Sequence, residues 1–165
     1  SSVADLNGKS FARPDPLSTS GWIIPMLTMK AAGVDTDSGL SRVIDAGSHD
    51  AVVAAVFNGD ADAGATYVDA RTRVEESFPT VMEEIVVIAV TEDIPNDGVQ
   101  FHPSIAKEMR DAIVEALLEI VATDEGKDAL KTAYQWNDLA VHDDTFYDPF
   151  RQVLQASGLS INELN

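Results

Sequence analysis

The stretch that decides the fold is RVIDAGSHDAVVAAVF, residues 42–57. Its first part, Arg42 to Ala46, has the β-branched and apolar residues of a short strand, and Gly47-Ser48 is a turn that ends in a helix-capping residue. His49 to Phe57 then has helical composition and is closed by Asn58-Gly59. A strand, a turn and a helix in this order form the repeating unit of sheets whose helices lie on their faces.

A similar unit lies upstream. Lys9 to Arg13 is a short strand-like run that ends at the Pro14-Asp15-Pro16 turn, and an apolar helical pattern closed by Gly33 begins after Ser18-Thr19-Ser20. Pro25 falls in the first turns of that helix, where a missing N–H group costs little. Two such units in succession predict parallel strands, because each helix carries the chain back to the start of the next strand.

Two further strands and one helix are predicted downstream. Ala63 to Tyr67 is a third short strand, Asp69 to Phe78 is a third helix, and Ile85 to Thr91 is an unbroken apolar run typical of a buried strand. The alternation of strands with helices predicts the fold class, which is α/β with a mostly parallel sheet.

The character of the sequence changes near residue 94. After a weak strand candidate at Val99 to Phe101, the remaining pattern is helical, and the first of its helices is long and amphipathic. The predicted helices are Ser104 to Ala122, Asp124 to Ala133 and Thr145 to Ser157. We therefore expect an α/β lobe over residues 1–92 and a mostly helical part over residues 93–165, which has too few strands for a sheet of its own.

Composition and charge exclude several classes of protein. Of the 165 residues, 28 are acidic and 11 are basic, and the formal net charge is −17 at pH 7. No basic run exists that could follow a nucleic-acid backbone, so nucleic-acid binding is not expected. No stretch approaches the roughly 18 consecutive apolar residues that a membrane-spanning helix needs. The absence of cysteine excludes disulfides and thiolate metal sites.

Three adjacent hydroxyl residues, Ser18-Thr19-Ser20, stand where the first strand passes into its helix. The first N–H groups of a helix have no partner within it and carry partial positive charge, so they attract an anion. The hydroxyls add donors, and Gly21 would let a ligand approach the backbone closely. This pattern is typical of a site for a tetrahedral oxyanion. The ordinary alternative is a helix N-cap, for which one hydroxyl is enough.

The motif Gly47-Ser48-His49-Asp50 occupies the equivalent turn of the next unit. In parallel α/β sheets such turns gather at the carboxyl edge of the strands, where ligands bind. We therefore expect His49 to direct a ring N–H group at the same anion. The alternative is a surface or capping histidine, with Ser48 as the N-cap.

Two acidic residues follow similar turns. Asp69 comes after Ala65-Thr66-Tyr67-Val68, and Asp97 lies in Pro95-Asn96-Asp97-Gly98. As ligands, both carboxylates would suit a cationic group. As structural residues, Asp69 would cap a helix and Asp97 would belong to a turn.

Catalysis and metal binding have weaker support. Ser20, His49 and Asp97 would form a hydrolase triad on paper, but no Gly-x-Ser-x-Gly elbow is present and the serines are better explained as donors at a helix start. Asn58 to Gly64 resembles only the front of a calcium loop and lacks the required Glu, so we interpret it as a tight turn between helix and strand. We expect neither an enzyme nor a bound metal or other cofactor.

Several of these stretches resemble one family, the phosphate/phosphonate-binding proteins of ABC transporters. The matching segments run in the family's order from about residue 5 to residue 125, and the pairing of Ser-Thr-Ser-Gly with Gly-Ser-His-Asp is the most specific part of the resemblance. The segments are Asp5 to Lys9, Asp15 to Gly21, Gly47 to Val52, Asn58-Gly59 through Asp62 to Ala65, and Ile94 to Asp97.

The resemblance implies a fold and a set of ligand residues. The fold would be the two-lobed, type II periplasmic-binding-protein fold, which closes on its ligand by hinge motion. Residues 1–92 would be one nearly complete α/β lobe and residues 93–165 the helical returning part of the other lobe, whose N-terminal part lies outside these residues. The implied ligands of the phosphonate oxygens are Ser18, Thr19, Ser20 and His49, and those of an amino group on the phosphonate are Asp69 and Asp97.

The implied function is that of the solute-binding protein of an ABC importer, which passes phosphonate, phosphite or phosphate to a permease. Its place would be the periplasm or the cell exterior, with a lipoprotein anchor as one arrangement. A dimer partner or a second chain would cover the apolar face of the helix over Ser104 to Ala122. The alternative is a ligand-sensing domain of the same fold attached to a signalling or regulatory module.

Overall fold

The computed structural model describes residues 2–94, 98–134 and 136–164, without the side chains of residues 163 and 164. The chain divides into two compact units: Ser1–Pro95 with Tyr147–Asn165 form the first, and Asn96–Phe146 the second. The predicted lobe boundary at residue 92, and the assignment of residues 93–165 to another lobe, stay predictions.

A three-stranded parallel sheet lies in the first unit. Strand β1 (Ser10–Arg13) lies between β2 (Arg42–Asp45) and β3 (Ala63–Gly64). β1 pairs with β2 along its whole length, from Ser10 opposite Arg42 to Arg13 opposite Asp45, and it pairs with β3 at Phe11 and Ala12. A parallel sheet with interleaved helices confirms the α/β class predicted from the sequence.

The helices connect and follow these strands. In chain order they are the 3-10 helix Val3–Leu6, the π-helical turn Thr19–Ile23, α1 (Ile24–Ala31), α2 (His49–Phe57), the 3-10 helix Ala70–Val74, α3 (Val81–Glu84), α4 (Lys107–Val121), α5 (Asp124–Tyr134), the 3-10 helix Asp144–Tyr147, α6 (Asp148–Ser157) and the 3-10 helix Ile161–Leu164. Within the first unit α6 packs against α1.

The central strand is buried on both faces, because successive side chains of a strand point in opposite directions. Phe11 packs with Trp22 and with Met29 of α1, whereas Ala12 packs with Val52 of α2. The rings of Phe11 and Trp22 lie 6.1 Å apart in a tilted arrangement. Helices α1 and α2 therefore cover opposite faces of the sheet.

A separate apolar cluster fixes the segment that follows β3. Val53 of α2 is buried together with Ala70 and Val74 of the 3-10 helix and with Val81 of α3. This packing holds the chain near residue 69 beside α2.

The predicted buried strand over Ile85 to Thr91 is wrong. Val86 to Val90 form no strand, and the side chains are exposed, with Val86 exposed by 75% and Val90 by 68%. An apolar run becomes a buried strand only where a neighbouring strand and covering helices meet it. Within the described residues the sheet has only the order β2-β1-β3, so this run has no partner there.

Two neighbouring predictions were also too long. The strand predicted from Ala63 to Tyr67 pairs only over Ala63–Gly64. The helix predicted from Asp69 is a 3-10 helix over Ala70–Val74, because Asp69 has left-handed backbone angles (φ 55°, ψ 33°) that do not continue a right-handed helix. The weak strand candidate at Val99 to Phe101 is not a strand either.

The second unit contains α4 and α5. Helix α4 begins at Lys107 rather than at Ser104, whose hydroxyl contacts the His102 ring instead, with Oγ 2.7 Å from Nδ1. Val121 is buried, whereas Met109, earlier on the helix, is 58% exposed. In the parts of the chain that the structure describes, no helix combines the length and the apolarity needed to cross a membrane.

Candidate anion-binding site

The first turn of the candidate site begins with Ser18, which caps the following helix. The Ser18 hydroxyl oxygen accepts a hydrogen bond from the N–H of Gly21 at 3.1 Å, and its carbonyl accepts from Trp22 and Ile23. The N–H groups of Thr19 and Ser20 come before the first donors of the helix, so no acceptor within the helix is available to them. These two N–H groups are therefore available to an acceptor from outside the helix.

Gly21 lets this turn fold tightly over Pro14. A Cβ atom at position 21 would lie 2.3 Å from Cδ of Pro14 and 2.9 Å from the Ser18 hydroxyl oxygen, far inside normal contact distance. From the sequence we expected Gly21 to let a ligand approach the backbone closely. The structure adds a packing reason, because the space beside Gly21 is occupied by the proline ring.

The hydroxyls of this turn differ in exposure. Ser18 and Ser20 are half-buried and Thr19 is exposed. Ser18 uses an oxygen lone pair for its cap, which leaves its hydrogen available to a ligand. Among the described residues, the hydroxyls of Thr19 and Ser20 have no hydrogen-bond partner. The turn therefore offers three hydroxyl donors in addition to its backbone N–H groups.

The second turn has the same kind of cap. The Ser48 hydroxyl oxygen accepts from the N–H of Ala51 at 3.1 Å, which makes His49 the first residue of α2. The predicted N-cap at Ser48 and the predicted bounds of this helix are confirmed.

Backbone hydrogen bonds join the two turns. The N–H of Ala46 donates to the carbonyl of Arg13, and the N–H of Gly47 donates to the carbonyl of Pro14, both at 2.8 Å. These bonds continue the β1 and β2 pairing past the strand ends. As a result, the segments leading to Ser18 and to His49 leave the same edge of the sheet together.

His49 is held by residues that follow β3. Its Nδ1 lies 2.7 Å from the Thr66 hydroxyl oxygen, and its ring meets the Tyr67 ring edge-on with centroids 4.8 Å apart. Sequence reasoning missed Thr66 and Tyr67 as site residues. Their position directly after the third strand of a parallel sheet was the available signal, because it places them at the same edge.

The surroundings of His49 favour the neutral form of its imidazole. Partial burial lowers the pKa of His49 below its usual value of 6.5 and Arg73 adds to the decrease, while the carboxylates of Asp15 and Asp50 oppose it. A neutral imidazole has one N–H donor and one acceptor nitrogen. The donors assembled at this edge, from the backbone, the hydroxyls and the imidazole, are therefore all uncharged.

Asp69 lies two residues beyond Tyr67, and its carboxylate is already engaged. Its Oδ1 lies 2.6 Å from Nη2 of Arg71, and the Asp69 side chain makes no capping hydrogen bond to the helix that follows. The other acidic residue predicted for the site, Asp97, lies outside the described residues. The structure therefore brings the serine turn and the histidine turn together and shows Asp69 in an ion pair.

Two more arginines near these turns are also paired with aspartates. Nε of Arg13 lies 2.6 Å from Asp45, and its Cζ is 4.3 Å from the centre of the Trp22 ring. Nε of Arg73 lies 3.0 Å from Asp50, the residue after His49. Within the described residues no group of acidic or histidine side chains is arranged to hold a metal ion.

The first unit is thus an α/β unit that brings two helix starts, several hydroxyls and an imidazole to one sheet edge. In comparisons with known proteins, the sequence matches the family described as "ABC transporter, phosphonate, periplasmic substrate-binding protein" over residues 1–147. The chain belongs to this family. The family consists of substrate-binding proteins, which supports the rejection of a Ser-His-Asp hydrolase.

A curated relative points the same way. The "Phosphonates-binding periplasmic protein" of Escherichia coli (strain K12) is 26% identical to this chain over 144 residues. The match covers 87% of this chain and 42% of that protein. The chain therefore spans less than half the length of the relative that it matches.

Proposed function

We propose that this chain binds phosphonate, phosphite or phosphate as part of the solute-binding protein of an ABC importer. The observation that carries the proposal is that the Ser18-Thr19-Ser20 turn and the His49 turn lie side by side at one edge of the sheet. Two helix starts, three hydroxyls and a neutral imidazole lie at one sheet edge, next to Thr66 and Tyr67. Ser18, Thr19, Ser20 and His49 are the proposed ligands of the oxygens.

The chemistry of the donors suits a tetrahedral oxyanion. Such an anion has several oxygens that accept hydrogen bonds, and helix N-terminal N–H groups with hydroxyls can meet them from different directions. A hydrogen bond to a charged group contributes about 1.5 to 3 kcal/mol. Several such hydrogen bonds together would bind the anion without a fixed positive charge, so release of the ligand would not require breaking an ion pair.

The family supports a role in transport. In this proposal the chain is one lobe of a type II periplasmic-binding fold, closes on its ligand by hinge motion and delivers it from the periplasm to a membrane permease. The wall of the ligand cleft that faces these turns would come from residues outside this chain. A dimer partner or a second chain is the alternative source of that wall. Asp69 and Asp97 as partners of a ligand amino group stay predictions.

Calorimetric titration of the full natural protein tests the proposal. The ligands are 2-aminoethylphosphonate, methylphosphonate, phosphite and phosphate, with sulfate as a tetrahedral control that carries no proton at neutral pH. Binding of at least one phosphorus oxyanion is the expected result, and the sulfate titration measures how far the site is selective for phosphorus. If none of the four binds, the proposed function is wrong.

A further inference from the structure

Three carboxylates around the candidate site are neutralised by arginine. Asp45 pairs with Arg13 below the two turns, Asp50 pairs with Arg73 beside His49, and Asp69 pairs with Arg71 beyond Tyr67. This arrangement stands out in a chain with 28 acidic and only 11 basic residues. Asp69 is the carboxylate nearest along the chain to the Thr66 and Tyr67 contacts of His49, so its pairing bears most directly on a ligand.

Arg71 is held in place on both sides of its guanidinium group. Nη1 donates to the carbonyl oxygen of Ile85 at 2.9 Å and Nη2 donates to Asp69 at 2.6 Å. The Arg71 side chain is only 17% exposed, whereas that of Asp69 is 51% exposed. Because Arg71 is tethered to the backbone, its charge stays beside Asp69 when a ligand arrives.

A cationic group on a ligand would gain little at Asp69. Nη2 of Arg71 lies 2.6 Å from Oδ1 of Asp69, so a cation attracted to this carboxylate would also be repelled by the arginine charge beside it. Asp15 is exposed beside the first turn, where its carboxylate accepts a hydrogen bond from the N–H of Leu17 at 2.8 Å. Two apolar side chains are exposed as well, Leu17 by 74% and Val68 by 73%. These side chains offer contact to an uncharged substituent.

We propose that Arg71 is a specificity-determining residue, which occupies Asp69 and thereby directs this site to phosphonates with an uncharged substituent. Alkylphosphonates, phosphite and phosphate form the preferred ligand class, and aminoalkylphosphonates gain no advantage from Asp69. This inference rests on the proposed function. The proposed function concerns the oxygens of the ligand, whereas this inference concerns the substituent on its phosphorus atom.

The test compares two ligands that differ by one terminal group, ethylphosphonate and 2-aminoethylphosphonate, by calorimetry on the full natural protein. In the wild-type protein the two affinities differ by less than about threefold, the effect of an exposed and screened charge. Arg71→Gln frees Asp69 and raises the preference for 2-aminoethylphosphonate about tenfold, as a newly available charged hydrogen bond would. Arg71→Lys keeps the positive charge and keeps the wild-type ratio.

Asp69→Asn provides an independent measurement. In the wild-type background it leaves the ratio of the two affinities unchanged, and in the Arg71→Gln background it removes the gain. A wild-type preference of about tenfold for 2-aminoethylphosphonate, or its loss in Asp69→Asn, overturns the inference. A folded Arg71→Gln variant with an unchanged ratio also overturns it. If that variant does not fold, Asp69→Asn decides alone. Failure of every phosphorus oxyanion to bind overturns the proposed function itself.

Discussion

The two turns of the candidate site begin alike and differ in what they leave open. Ser18 and Ser48 both cap a helix, and each hydroxyl oxygen accepts from the third residue along at 3.1 Å. The first turn leaves two more hydroxyls and two N–H groups without partners in the helix. The second turn presents an imidazole that is already supported by Thr66. The same serine N-cap therefore precedes two different groups of hydrogen-bond donors.

The difference shows that a cap motif alone does not identify a ligand site. What distinguishes the turns is their surroundings: Pro14 fills the space beside Gly21, and Thr66 with Tyr67 surrounds His49. The function of each turn depends on residues that are distant in sequence.

The largest effect is expected from the tighter of the two turns. In Gly21→Ala, the new Cβ clashes with the Pro14 ring, so the turn must shift. We expect a loss of about 1 to 3 kcal/mol of stability, the usual cost of overpacking, together with weaker anion binding than in any other variant. Thermal denaturation and calorimetry measure the two effects. Gly98→Ala is the control, because a Cβ there meets nothing within 4 Å.

Each turn is also expected to contribute directly to binding. Ser20→Ala in the first turn and His49→Ala in the second each weaken binding of a phosphorus oxyanion by about 1 to 3 kcal/mol, the cost of losing a hydrogen bond to a charged group. Ser77→Ala, at an exposed serine away from both turns, leaves the affinity unchanged. Unchanged affinity in both Ser20→Ala and His49→Ala would remove the proposed ligands from the site.

The two capping serines should separate stability from binding. Ser18→Ala and Ser48→Ala each remove an N-cap and lower the free energy of unfolding by about 1 kcal/mol. Only Ser18→Ala should also weaken anion binding, because Ser18 is a proposed ligand and its hydroxyl hydrogen is not used by the cap. Denaturant unfolding and calorimetry on both variants test this, and equal losses of affinity would contradict the distinction between the turns.

The smallest effect is a pH dependence that belongs to the second turn alone. Burial lowers the pKa of His49 in the folded state below 6.5, so the unfolded state binds a proton more readily. Stability is therefore retained above pH 6.5 and declines as the pH falls through 6.5 toward the lower pKa of the folded state. Denaturant unfolding across this range, compared with His49→Gln, measures the contribution. Identical pH profiles would show that His49 does not cause it.

Local signals were enough to predict the first two strand and helix units. The bounds of α2 and its Ser48 cap follow from residues within one turn of each other, and the parallel order follows from their alternation. The contacts of Thr66 with His49 and of Arg71 with Asp69 could not be predicted from the sequence. A local residue pattern does not determine how side chains are oriented at the edge of a sheet. The run at Ile85 to Thr91 shows the reverse case, in which a strong local strand pattern has no strand beside it in the described residues.

The hydrogen bond between His49 and Thr66 has a consequence for what the site can recognise. When the Thr66 hydroxyl donates to Nδ1, the single proton of the neutral ring lies on Nε2, and the nitrogen that remains for a ligand can only donate. Backbone N–H groups at a helix start share this property. An oxygen that still bears a proton would offer a donor to a donor at these positions. A protonated ligand oxygen could therefore donate only to hydroxyl oxygens among the proposed ligands, those of Ser18, Thr19 and Ser20.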